Sequence, residues 1–199
     1  HEGQEVIDWQ VTVSGGVPGG GFRDGAGDWV QGWTVKGPVA EIEVHVRGKV
    51  ATQDTAGVLK GLRETVPVEA WLRETKLTEL AGGLGVLAKV AEGEGNVLTA
   101  AHLLSRTVSE ALTYVPGATG AGTTASEALE AGEGVCQDHA HVLCAVARAN
   151  RIPARYVSGY LLAEGAEAQA AHAWAELHVP GLGWVGFDQG WVLTELSNE

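Results

Sequence analysis

Along the first fifty residues, apolar and polar positions alternate. Residues 5–13 carry Val6, Trp9, Val11 and Val13 at near-alternate positions and run into the glycine-rich residues 14–21. Residues 29–35 and 40–50 repeat the pattern, the second with Ile42, Val44 and Val46 at period two, and Gly37-Pro38 supplies a turn between them. This patterning predicts an antiparallel sheet layer with glycine-rich hairpins, its valines and Trp9 turned inward.

The spacing then becomes helical. Pro67 marks a helix start, and residues 68–80 mix Trp71, Leu72, Leu77 and Leu80 with charges, ahead of flexible stretches at residues 82–85 and 92–95. Residues 96–114 are cleaner: Asn96 is a cap, and Val97, Ala101, Leu104, Val108 and Leu112 recur at steps of four or three, which makes one buried stripe stopped by Pro116-Gly117. Thr124 followed by Glu127 is a capping box for a short helix through Ala128 and Leu129. A further helix is predicted over residues 135–150, with Ala140, Leu143, Cys144 and Ala147 on its buried side, ended by Ile152-Pro153. Strands follow at residues 155–162, 172–179 and 184–188, with a loop over 163–171 and a turn at Pro180-Gly181. Sheet, helices and sheet in that order predict a segregated α+β architecture, with a β-rich region over residues 1–65 and a core over 66–199.

A chain of 199 residues, 45% apolar, has enough apolar material for one substantial core and a smaller attached layer. Its net charge is −12, and its 13 lysines and arginines do not cluster, which argues against nucleic acid or an anionic membrane as partner. Neither a basic start with an apolar run nor a span of about 18 apolar residues occurs. The chain opens on His1 and contains no methionine, as expected of a processed or truncated product. Its two cysteines form no disulfide framework, because eight residues of helix would hold Cys136 and Cys144 about 12 Å apart. Reduced thiols and a cytoplasmic location are the expectation.

Cys136 follows Gly134 where a loop enters a helix. A thiolate there gains from unpaired N–H groups at the helix start, and small neighbours admit a carbonyl. A lone cysteine in a mostly apolar chain is more often a small buried hydrophobe. His172 opens a strand whose alternate positions are Trp174, Glu176 and His178, and Trp174 can restrict its rotation or shield it from water. Asp188 closes the next strand, and a carboxylate in those aromatic surroundings needs a partner such as a histidine N–H on the neighbouring strand. Together they make a Cys-His-Asp arrangement in which Asp188 fixes the tautomer, His172 takes the thiol proton and Cys136 attacks a carbonyl.

The blocks Gly134-Val135-Cys136-Gln137-Asp138-His139-Ala140-His141, Ile152-Pro153-Ala154-Arg155-Tyr156-Val157-Ser158-Gly159-Tyr160, His172-Ala173-Trp174-Ala175-Glu176 and Gly183-Trp184-Val185-Gly186-Phe187-Asp188 resemble the bacterial transglutaminase-like superfamily. The likeness extends upstream to residues 113–117 and, more loosely, to the β-rich and helical residues 25–78. The resemblance implies a papain-like α+β core, a helical layer with the nucleophile helix packed on an antiparallel sheet, and maps nucleophile, base and acid onto Cys136, His172 and Asp188. It further implies a thioester formed on a peptide or protein amide and resolved by water or an amine, in a peptidase or amidase without metal or other cofactor. Gln137 is a candidate oxyanion donor if it turns back from its helix. Asp138 orders the first turn, Arg155 and Tyr156 hold the strand against that helix, and Glu176 pairs with Arg155 or lines the cleft. Relatives continue with proline and further strands where Gln189-Gly190 stand here, with eleven residues after Asp188. The chain therefore reads as shortened at both ends, with sheet edges that a second copy or a partner chain would cover.

Two other classes compete. Cys136, His139, His141 and Cys144 are four metal-ligand types within nine residues. On a helix, however, His139 and His141 diverge by about 200°. The second is a non-catalytic interaction module that has kept the scaffold.

Overall fold

The computed structural model describes residues 3–25, 27–62, 64–161 and 170–188. The chain divides into two units, His1–Pro67 and Val68–Glu199.

In the first unit, β1 (Gln4–Val13) pairs antiparallel with β4 (Val44–Thr52), and β2 (Gly16–Arg23) with β3 (Trp29–Val35), while β5 (Val58–Leu59) is a two-residue strand. The expected β3–β4 hairpin does not form. The Gly37–Pro38 peptide is cis, and the β1–β4 ladder ends where Ser14 and Glu43 exchange hydrogen bonds, so residues 40–43 stay outside the strand. The glycine run, expected as a turn, is itself a strand. A Cβ on Gly21 would stand 2.3 Å from the Trp29 ring, and one on Gly48 would stand 2.4 Å from Trp9, so glycine at both leaves room for a cross-strand indole. The inward reading of this layer is overturned: Val6 is 63% exposed and Trp9 52%, with Ile42, Val44 and Val46 also exposed. Alternation marks a face, but among the described residues of this unit no helix lies on it.

The second unit holds the core. Residues 68–80, expected as a helix, form only a 3-10 turn at Val68–Leu72, and Leu80 is exposed. The glycine stretch read as flexible leads into α1 (Leu84–Ala88), anchored by the fully buried Leu84. In α2 (Val97–Ala111) the Asn96 side chain accepts the Thr99 N–H at 3.0 Å, and Ala101, Leu104 and Val108 are wholly buried. This helix ends at Ala111, short of the expected 114, because β6 (Thr113–Tyr114) turns away to pair in parallel with β7 (Glu133–Gly134). Between them α3 (Ala125–Ala131) begins with the Thr124/Glu127 capping box.

Central to the unit is α4 (Cys136–Ala149), in which residues 138 to 147 are all buried. A helix buried all round must be covered on every side. Here α1, α2 and α3 pack on it along with β8 (Ala154–Leu161) and β9 (Ala170–Val179). β9 runs antiparallel between β8 and β10 (Gly183–Phe187), turned into β10 through Gly181 at a φ of 83°. This is an α+β arrangement. The loop expected over 163–171 lies outside the described residues except at its last two, which belong to β9. Residues 189 onward, where the sequence departs from the family pattern, also lie outside them. Among the described residues no helix is long and apolar enough to cross a membrane.

Candidate active site

The start of α4 is held from three directions. Val115 donates its N–H to the Gly134 carbonyl at 2.8 Å, which fixes the residue before the helix cap. Val135, extended at the N-cap, donates its N–H to the Asp138 carboxylate at 2.7 Å, and the Thr119 hydroxyl donates to the same oxygen. Valine has no side-chain acceptor to return the bond, so this is one half of a capping box. Finally, the His139 ring stands between two carbonyls, with Nδ1 3.0 Å from that of Val135 and Nε2 3.3 Å from that of Leu112, which links the cap to the end of α2.

Cys136 is the first residue of this fixed helix and is partly exposed. Cys144, two turns on, is fully buried, and burial pushes its thiol up to about 12. The two cysteines are thus chemically unlike. His141 is buried against the Tyr156 ring, centroids 5.0 Å apart, and its Nδ1 has no hydrogen-bond partner among the described residues. Desolvation, with the Arg148 charge adding to it and Asp138 opposing it, holds His141 below the ordinary imidazole range. Among the described residues no group of three or more His, Cys, Asp and Glu is placed to hold a metal ion.

His172 lies on β9 opposite Gly159 of β8. Its Nε2 is 2.6 Å from Asp188 Oδ2, just beyond β10. An ionised carboxylate only accepts, so Nε2 carries the proton and Nδ1 of the neutral ring keeps its lone pair. Trp174 stacks on the imidazole at 6.2 Å, and Gly159 makes room for it, since a Cβ there would stand 3.0 Å from the indole. The Trp174 indole N–H donates to Glu176 at 3.4 Å, and Glu176, buried, accepts two bonds from Arg155 at 2.7 and 2.8 Å. Arg155 in turn lies over the Trp184 ring at 4.2 Å. The orientation of the histidine ring thus rests on a relay of packed side chains across β8, β9 and β10.

Cys136 and His172 line one cleft of about 420 Å³. Of the supporting residues singled out from sequence, Gln137 also lines it, with its Nε2–H bonded to the Gly120 carbonyl at 3.2 Å. Asp138 and Glu176 are taken up in buried pairings, and Trp174 stacks on His172. Sequence reasoning gave Tyr156 only a structural part, and it missed Ser158 and Tyr160. All three come from β8 and line the cleft, and their period-two spacing was the available signal. Burial and then the Cys136 charge raise the Tyr156 phenol, and Tyr114 shifts the same way for the same two causes. Both hydroxyls therefore remain donors at neutral pH.

The sequence profile of the Transglutaminase-like superfamily matches residues 85–189, more than half of the chain. Among curated proteins, an uncharacterized protein of Mycobacterium leprae is 39% identical over 84 residues, covering 39% of this chain and 29% of its own length. One from Mycobacterium bovis is 40% identical over 87 residues, covering 38% and 28%. The matched segment is thus less than a third of those relatives. Among solved structures, a candidate cysteine protease of Cytophaga hutchinsonii superposes with a TM-score of 0.74 at 22% identity, covering 96% of this chain and 67% of that one. The periplasmic domain of TgpA from Pseudomonas aeruginosa gives 0.53 at 19%, covering 82% and 59%. At such identities the likeness is one of fold.

Proposed function

The chain belongs to the transglutaminase-like superfamily, and from that premise we propose that it is a cysteine-dependent amide hydrolase, a peptidase or amidase working through Cys136, His172 and Asp188. The observation that carries this reading is the shared cleft: the partly exposed Cys136 at a helix start and a histidine whose Nε2 is committed to Asp188 line the same space. His172 Nδ1 takes the thiol proton, and Cys136 attacks the amide carbonyl. The tetrahedral oxyanion is met by the Cys136 backbone N–H at the start of α4. As the intermediate collapses, His172 returns the proton to the leaving amine, and a thioester remains. Water, deprotonated by the same imidazole, then releases the acid. Asp188 holds the tautomer and stabilises the imidazolium without itself taking the proton.

The first half-reaction is common to hydrolysis and to transfer onto an amine, so an acyl-transferase reading differs only in what enters the cleft second. Two free cysteines suit a reducing compartment such as the cytoplasm, although the same fold serves in a periplasmic domain of another protein. The test combines intact-mass labelling by iodoacetamide at neutral pH with mass spectrometry of casein peptides, with and without putrescine, for the parent, Cys136→Ala and His172→Ala. A single adduct at Cys136 that weakens in His172→Ala, with peptide cleavage lost in both variants, supports the hydrolase. Putrescine incorporation in place of cleavage assigns transfer instead. Equal labelling of Cys136 and Cys144, unaffected by His172, overturns both and leaves a binding module.

A further inference from the structure

β8 is the outermost strand of its sheet, bonded among the described residues only to β9. Its ladder to β9 has no register shift, and His178 donates its N–H to the Pro153 carbonyl at 2.8 Å just before the strand begins. That bond sets the phase, because hydrogen-bonded and non-bonded pairs alternate along an antiparallel ladder. Arg155, Val157 and Gly159 therefore exchange their main-chain bonds with β9, whereas the N–H and C=O groups of Ala154, Tyr156, Ser158 and Tyr160 point away from the sheet. The Ala154 carbonyl is occupied by the Arg148 guanidinium at 2.8 Å. For the main-chain N–H and C=O groups of Tyr156, Ser158 and Tyr160, no hydrogen bond occurs among the described residues.

These same three residues line the cleft that holds Cys136 and His172. Free edges are ordinarily blunted by lysine, proline or a bulge. The stretch Tyr156-Val157-Ser158-Gly159-Tyr160 has none of these, and among the described residues that line the cleft there is no carboxylate or ammonium. A regular row of three donors and three acceptors is complementary to an extended polypeptide backbone, and a small isolated amide would leave most of it unused.

We propose that β8 docks the substrate as an added β-strand, so that the enzyme acts on extended, uncharged segments of polypeptide rather than on small free amides. The proposal rests on the amide-hydrolase reading for its chemistry but on the strand edge for its geometry. An occupant spanning residues 156 to 160 covers about 16 Å, roughly five residues. Tyr156 and Tyr160, 38% and 69% exposed, provide ring surface for its alternate side chains.

The test measures the rate of Cys136 alkylation with two series of neutral reagents. Acetyl-tetraalanyl chloromethyl ketone places peptide on the acyl side, and chloroacetyl-tetraalaninamide places it on the leaving side. Each is compared with its single-alanine parent and with versions N-methylated at each amide in turn. In at least one series, the tetrapeptide should react about tenfold or more faster than its parent. N-methylation at alternate nitrogens should erase that gain, and methylation at the intervening ones should leave it within about twofold. Ser158→Pro removes an outward N–H that β9 does not use, so the gain should vanish while far-UV circular dichroism and Tm hold. If that variant fails to fold, the methylated series on the parent protein decides. Rates independent of length in both series, or losses without alternation, overturn the proposal. A dimer in sedimentation that Ser158→Pro dissolves, together with length-independent rates, overturns it in favour of a second copy on the edge. Alternation without cleavage of casein peptides leaves docking standing and sinks the hydrolase; cleavage without alternation does the reverse.

Discussion

Asp188 sits 2.6 Å from the imidazole nitrogen that faces away from chemistry, and its work in the proposed triad is to keep the proton there. Asparagine at 188 can offer its N–H to that nitrogen and stabilise the wrong tautomer. Asp188→Asn should lower kcat by about 10²–10⁴ while leaving the fold intact, read as peptide turnover beside Tm. His141 carries a different consequence. Its burial depresses proton uptake in the folded chain, whereas the unfolded chain accepts a proton near 6.5, the ordinary imidazole value. The contribution of neutral His141 is therefore complete above about 6.5 and is lost as pH falls below it. Urea midpoints measured between pH 7.5 and 5 should fall more steeply for the parent than for His141→Gln.

At the scale of elements, the junction from β7 into α4 is the tightest place near the thiol. A Cβ on Gly134 would stand 2.7 Å from the Asp138 side chain, which would have to release the Val135 N–H or the Thr119 hydroxyl. Gly134→Ala should cost about 1–3 kcal/mol in urea unfolding and slow iodoacetamide labelling of Cys136, because the lost bonds are the ones that fix the helix start. What the sequence made legible is also element-specific. α2 could be read because its cap and apolar stripe are local, α4 because Gly134 and Ile152-Pro153 bound an apolar run, and the adjacency of His172 and Asp188 followed from the short turn at Pro180-Gly181. The helix expected over 68–80 failed because its apolar residues do not recur at helical spacing, and the turn that does form at Val68–Leu72 buries none of its residues. The inward face of β1 failed because period two shows that a strand has sides without showing what covers either. Tyr156, Ser158 and Tyr160 stayed hidden for a related reason: which residues turn their main chain outward depends on a hydrogen-bond phase that no side-chain pattern encodes.

In the molecule as a whole, burial and chemistry concentrate in the unit Val68–Glu199, and among the described residues that line its cleft none carries a carboxylate, ammonium or guanidinium. Within that unit one side chain connects distant stretches. The Arg148 guanidinium donates to the Trp71 carbonyl at 3.0 Å, the Thr78 hydroxyl at 2.6 Å and the Ala154 carbonyl at 2.8 Å, across sequence separations of 77, 70 and 6 residues. These separations impose an order in time. The bond to Ala154 closes a small loop and forms early, together with α4 and β8, whereas capture of Trp71 and Thr78 must wait until a much longer loop has closed. Arg148→Leu should therefore accelerate unfolding far more than it slows refolding, seen as a shift of the unfolding limb of the chevron with the folding limb nearly unmoved. If the folding limb moves instead, the strap from Trp71 to Thr78 is part of the nucleus. On that expectation this guanidinium is a late latch, governing how long the assembled unit persists rather than how quickly it is found.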